Sequence, residues 1–193
     1  MSASPRPDWA TVPNLITLLR FVLLAPVCLL LVDGPDTLAV VLLLVWASTD
    51  WVDGMLARAL DQSSRVGAII DPIADRIGLA AIVLSLALAG LLPWAALALI
   101  VVLDVAMVVF ATGAALGGRI SVSWLGKIRT FVLMSAVFLL VAAAAWWPDL
   151  VPAAQALIWL GVVLHTVSGI DYILRARRAP AAGPAVEAPP SPR

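Results

Sequence analysis

The sequence predicts an all-α, polytopic membrane protein with six transmembrane helices, and three observations carry that expectation. First, of 193 residues 63% are hydrophobic and 12% charged. A soluble domain of this size spends about a quarter of its residues on charge to face water, so this chain needs an apolar solvent. Second, the apolar residues gather into six runs, roughly 14–32, 37–58, 67–89, 93–115, 126–146 and 153–175. At about 1.5 Å per helical residue, each is long enough to cross a hydrocarbon core of about 30 Å. Third, turn-forming residues punctuate the runs: Asp33-Gly34-Pro35, Gly90, Gly117-Gly118, Pro148 and Pro152.

Taken in order, residues 1–13 are polar and Pro-punctuated, with Arg6 but no apolar segment and cleavage site behind a basic start. They read as a cytosolic arm with an interfacial helix anchored by Trp9, not as a signal peptide. Residues 14–175 form the membrane domain. Its first run carries the only cysteine, Cys28, which excludes an intrachain disulfide and a cysteine zinc site and reads as a small buried hydrophobe. Runs two and three hold four aspartates. Run four holds Asp104, expected to support a polar cavity or to pair with Arg20. Run five opens on Lys127 and Arg129. Run six holds His165, expected in a polar packing contact, and ends near Arg175, Arg177 and Arg178. Residues 176–193, rich in Ala and Pro, read as a disordered tail.

Twelve Lys+Arg balance twelve Asp+Glu, so bulk attraction to phosphate is absent and no nucleic-acid partner is expected. The partner that composition implies is the lipid bilayer. Arg6, Arg58, Arg65, Arg76, Arg119, Lys127, Arg129, Arg175, Arg177 and Arg178 fall at one set of segment ends, whereas loops 33–36, 90–92 and 147–152 contain no Lys or Arg. The positive-inside rule then places both termini and loops 59–66 and 116–125 in the cytoplasm of a multi-pass cell-membrane protein. Trp94, Trp124, Trp146 and Trp147 lie near segment ends, as interfacial anchors do.

Asp50, Asp53, Asp71 and Asp75 interrupt this apolar pattern. An ionised side chain within the bilayer costs at least about 2.5–3.5 kcal/mol on insertion scales, so four of them need a partner and a wet cavity. Measured from Arg58 and Gly67, Asp50 and Asp75 lie about 12 Å inward and Asp53 and Asp71 about 6–8 Å, at matched depths on two antiparallel helices. Spacings of i,i+3 and i,i+4 turn each pair to one side of its helix. Gly54, Ala57 and Gly67 are small enough to let the two backbones approach. Four carboxylates without His or Cys make an all-oxygen site suited to Mg²⁺, Mn²⁺ or Ca²⁺. Pairing with Arg58, Arg65 and Arg76 is one alternative. A cation or proton transporter is another, although runs two and three are apolar in their outer halves.

The order Asp50-x2-Asp53-Gly54-x2-Ala57-Arg58-x8-Gly67-x3-Asp71-x3-Asp75 resembles the complete signature of the CDP-alcohol phosphatidyltransferase family. Pro13-Asn14-x2-Thr17-x2-Arg20 and Ser123-Trp124-Leu125-Gly126-Lys127-x-Arg129-Thr130 extend the resemblance over most of the chain. It implies a membrane enzyme in which an acceptor hydroxyl attacks the phosphorus of CDP-diacylglycerol and CMP leaves. It also implies Mg²⁺ or Mn²⁺ held by Asp50, Asp53, Asp71 and Asp75, with Asp75 as general base. The CDP-lipid would be bound by Asp50, Asp53, Gly54, Arg58, Ser64, Gly67 and Asp71, and a phosphate-bearing acceptor by Arg76, Lys127 and Arg129. The Ser-Trp-Leu-Gly-Lys run resembles the branch that uses glycerol 3-phosphate and makes phosphatidylglycerophosphate. Arg76 after Asp75, and Leu103 before Asp104, depart from that branch and keep a cardiolipin synthase using phosphatidylglycerol as the alternative. A homodimer with a cytoplasmic active site is expected by the same resemblance.

Overall fold

The computed structural model describes residues 12–59, 65–115 and 124–178. Among them are six α-helices and no strand: α1 Val12–Asp33, α2 Thr37–Ala59, α3 Arg65–Leu88, α4 Trp94–Ala115, α5 Trp124–Trp146 and α6 Val151–Arg178, with one 3₁₀ turn at Pro148–Leu150. Each expected run is a helix. The last one continues to Arg178, past the expected end at 175, because Ala176, Arg177 and Arg178 are good helix formers and the Pro180 stop comes only afterwards. The expected arm lies almost wholly, and the remainder of the tail wholly, outside the described residues.

The helix ends follow local chemistry. α1 stops where Gly34 adopts φ +114° and α3 where Gly90 adopts φ +74°, left-handed conformations that glycine enters without a Cβ penalty. α2 starts under an Asp36 cap, whose Oδ1 accepts the Ala39 N–H at 2.8 Å. Pro26 lies inside α1. The N–H it lacks is tolerated in a membrane helix because neighbouring helices support the gap.

The helices close into a ring. α1 packs on α2 and α3, α2 on α5, α5 on α6, α6 on α4, and α4 on α3. A continuous core runs through it, with Val27, Leu31, Val83, Leu86, Leu140, Val141 and Ile158 fully buried. Cys28 is half-buried against this core rather than within it. Leu18, Val22, Leu29, Val102, Phe131 and Val163 stand more than half exposed, an apolar exterior that calls for lipid. Three stretches, Ile16–Asp33, Ile128–Trp146 and Pro148–Asp171, are long and apolar enough to cross a membrane by length and composition. The loops that lack basic residues meet at one end of the ring. There the Trp146 indole donates to Thr37 Oγ1 at 3.0 Å and the Gln155 amide donates to the Leu91 carbonyl at 2.7 Å.

Candidate active site

Within the ring lies a cavity of about 600 Å³ walled by all six helices. Its polar lining is Arg20 from α1, Asp75 and Arg76 from α3, Asp104 from α4, Arg129 and Thr130 from α5, and His165 from α6. Leu43, Trp46, Leu79, Ile82, Leu133 and Phe138 supply much of the apolar wall. Ionisable groups from five helices thus share one space inside an apolar bundle, an arrangement membrane proteins keep for function.

Arg20 is 2% exposed, and its Nη1 donates to Asp75 Oδ1 at 2.5 Å. The Asp75 side chain itself is 45% exposed, so a buried guanidinium supports a carboxylate that is open to the cavity. The Trp46 indole N–H donates to the Arg20 backbone carbonyl at 3.2 Å and ties α2 to the same point. Sequence reasoning offered Arg20 as a partner for Asp104. Instead it serves Asp75, because α1 packs on α3, whereas α4 occupies another part of the ring.

Asp104 faces α6, with its Oδ1 3.4 Å from His165 Nε2. The side chain of His165 is 5% exposed, and its ring lies beside the backbone of Ile100. Arg76 and Arg129 are close enough to Asp104 to act on its charge. Nη1 of Arg129 lies 2.9 Å from the Met107 sulfur, a weak acceptor. His165 is therefore part of the cavity wall and not merely a packing residue. The readable signal was that an ionisable side chain at mid-membrane depth is a functional candidate by default.

Of the expected site residues, Asp75, Arg76 and Arg129 come together in this cavity. Asp50, Asp53, Gly54 and Arg58 fall in the last turns of α2, Gly67 and Asp71 in the early turns of α3, and Lys127 in the first turn of α5. The side chains of these residues, and Ser64 altogether, lie outside the described residues. Among the described residues no three His, Cys, Asp or Glu side chains form a metal-holding group. The backbone is helical through both acidic pairs, so their i,i+3 and i,i+4 spacing holds.

The chain is 32% identical over 175 residues to a probable phosphatidylglycerophosphate synthase of Mycobacterium tuberculosis, covering 88% of this chain and 83% of that protein. It is 35% identical over 176 residues to the CDP-diacylglycerol–glycerol-3-phosphate 3-phosphatidyltransferase of Escherichia coli K12, covering 86% and 94%. The fold matches the crystal structure of M. tuberculosis phosphatidylinositol phosphate synthase in its apo form. That match has a TM-score of 0.64 at 18% identity and covers 86% of this chain and 90% of that one. The family model for CDP-alcohol phosphatidyltransferases spans residues 10–167, and with this cavity at its centre the chain belongs to the CDP-alcohol phosphatidyltransferase family.

Proposed function

We propose that the protein transfers a phosphatidyl group from CDP-diacylglycerol to glycerol 3-phosphate, releasing CMP, at the cytoplasmic leaflet. The observation that carries this reading is one cavity holding a supported carboxylate, Asp75, beside two guanidiniums, Arg76 and Arg129. A carboxylate within reach of an acceptor hydroxyl takes its proton as the hydroxyl attacks phosphorus. Guanidiniums grip an acceptor phosphate through paired N–H donors. The names of the M. tuberculosis and E. coli relatives and the Ser123-Trp124-Leu125-Gly126-Lys127 run favour glycerol 3-phosphate over the other acceptors.

In this reading residues 14–175 are the catalytic unit, the basic ends of the ring face the cytoplasm, and two copies associate. Asp50, Asp53, Asp71 and Asp75 would hold Mg²⁺ or Mn²⁺, since an all-carboxylate donor set on two helical faces suits a hard divalent cation. Bound there, the ion would supply charge neutralisation to the pyrophosphate and to the departing CMP. The chain's own residues do the rest. Arg20 holds Asp75 in one orientation; Gly54 and Gly67 admit the CDP moiety; Arg58 and Ser64 bind its phosphates or cytidine; Arg76, Lys127 and Arg129 orient the acceptor.

Purified protein given CDP-diacylglycerol and Mg²⁺ or Mn²⁺ is expected to release CMP when glycerol 3-phosphate is added, and to stop when the metal is chelated. Phosphatidylglycerol and inositol phosphate, offered separately, test the acceptor. CMP release with phosphatidylglycerol alone would make the protein a cardiolipin synthase, and no release with any acceptor would overturn the enzyme reading.

A further inference from the structure

The His165–Asp104 contact has no assigned part in the transfer, yet its hydrogen bonding is incomplete. Among the described residues, His165 Nε2 and Arg129 Nε are buried polar atoms without a hydrogen-bond partner, and both side chains line the cavity. Buried polar atoms in native proteins are nearly always paired, so an orphan at a cavity wall marks a place for a ligand atom. A neutral imidazole carries one N–H and one lone pair, and the Ile100 carbonyl beside the ring is the acceptor offered to that N–H. Nε2 is then the lone-pair nitrogen of a neutral ring. It faces Asp104 Oδ1 at 3.4 Å without a hydrogen bond between them. The Arg129 Nε–H, by contrast, is a donor without an acceptor. A hydroxyl satisfies both needs, because its single proton goes to the acceptor pair and its lone pairs receive the guanidinium N–H.

We infer that His165 and Asp104, with Arg129 beside them, form a hydroxyl-reading subsite that recognises a non-reacting hydroxyl of a small polyol phosphate acceptor. The inference rests on the transferase reading above and adds its specificity device. Glycerol 3-phosphate brings three groups for three parts of the cavity: a terminal hydroxyl for Asp75, a phosphate for Arg76 and Arg129, and a middle hydroxyl for the His165–Asp104 pair. A site built to bond a hydroxyl rejects the analogue that lacks it, because the buried partners are left unpaired.

The test compares glycerol 3-phosphate with 3-hydroxypropyl phosphate, which keeps the phosphate and the terminal hydroxyl but lacks the middle one. CMP release by the full chain, with CDP-diacylglycerol and divalent metal present, gives kcat/KM for each acceptor. The parent is expected to prefer glycerol 3-phosphate by about tenfold or more, and His165→Leu to bring that ratio to within about twofold of unity. The loss should appear in KM for glycerol 3-phosphate and not in KM for CDP-diacylglycerol. His165→Gln, which restores an acceptor, should recover part of the preference. Asp104→Asn, of unchanged size, makes the same measurement should His165→Leu fail to fold. CMP release with no preference in the parent, or a preference unchanged in these variants, overturns the subsite and leaves the transferase standing. No CMP from either acceptor with the parent overturns both.

Discussion

Arg20 sits 2% exposed in a helix otherwise built mainly of Leu and Val, a position where a cation persists only if its charge is answered. The answer is Asp75, and the pair divides the labour: the cation is dry and fixed, and the anion is half open to the cavity. A hydrogen bond between charged groups contributes about 1.5–3 kcal/mol. If that bond orients the base, Arg20→Met should lower kcat by roughly ten- to hundredfold, since each 1.4 kcal/mol is a factor of ten. KM for CDP-diacylglycerol should change little, and Arg20→Lys should retain an intermediate rate because it keeps the charge without the planar fork. Asp75→Asn is expected to behave differently, losing turnover while its amide oxygen still accepts from Arg20, so that the variant stays folded and retains CDP-lipid. Parent-like turnover by Asp75→Asn would remove Asp75 from the role of base. The candidacy of Asp75 was legible in its spacing from Asp71, Asp53 and Asp50. The role of Arg20 was not, because 55 residues separate it from Asp75 and only the packing of α1 on α3 brings them together.

At the scale of elements, α2 and α3 meet through a side chain. Gly78 of α3 lies under the buried Trp46 ring of α2, and a Cβ built on Gly78 would come 2.3 Å from Trp46 Cζ2. That is far inside van der Waals contact, so the ring would have to move. The same indole donates to the Arg20 carbonyl, which links the packing of α2 and α3 to the support beneath Asp75. Gly78→Ala is therefore expected to destabilise the protein by about 1–3 kcal/mol, the usual cost of overpacking, and to lower turnover as well. Combining it with Trp46→Phe, which clears the space, should recover part of the stability, a non-additivity that a double-mutant cycle on thermal unfolding reads directly. Simple addition of the two losses would show that ring and glycine do not share the space. The helices themselves were legible to within a few residues, because long apolar runs and turn residues determine them. Their ring order was not. These helices are apolar on most sides, so periodicity marks no inward face; Gly78 was not among the small residues singled out for the approach, and Gly54, Ala57 and Gly67 lie outside the positions whose surroundings are described.

Over the whole molecule, the two ends of the ring differ in kind. One is closed by the Trp146–Thr37 and Gln155–Leu91 hydrogen bonds and its loops carry no Lys or Arg. The opposite end holds the start of α3, the start of α5 and the last turn of α6, where Arg65, Lys127, Arg129, Arg175, Arg177 and Arg178 fall. Basic residues near short loops resist translocation, so the orientation proposed above has the hydrogen-bonded end outside and the basic end in the cytoplasm, where soluble acceptor and released CMP exchange with the cell. The chain's single cysteine makes this testable. With Cys28→Ala as background, Asp149→Cys places a thiol in the exposed 3₁₀ turn between α5 and α6, and Ser121→Cys places one in the sequence that joins α4 to α5. In intact cells a membrane-impermeant maleimide is expected to label Asp149→Cys and to leave Ser121→Cys unlabelled until the membrane is opened. The reverse pattern would turn the molecule over and put the acceptor-binding end on the wrong side for a cytosolic phosphate ester.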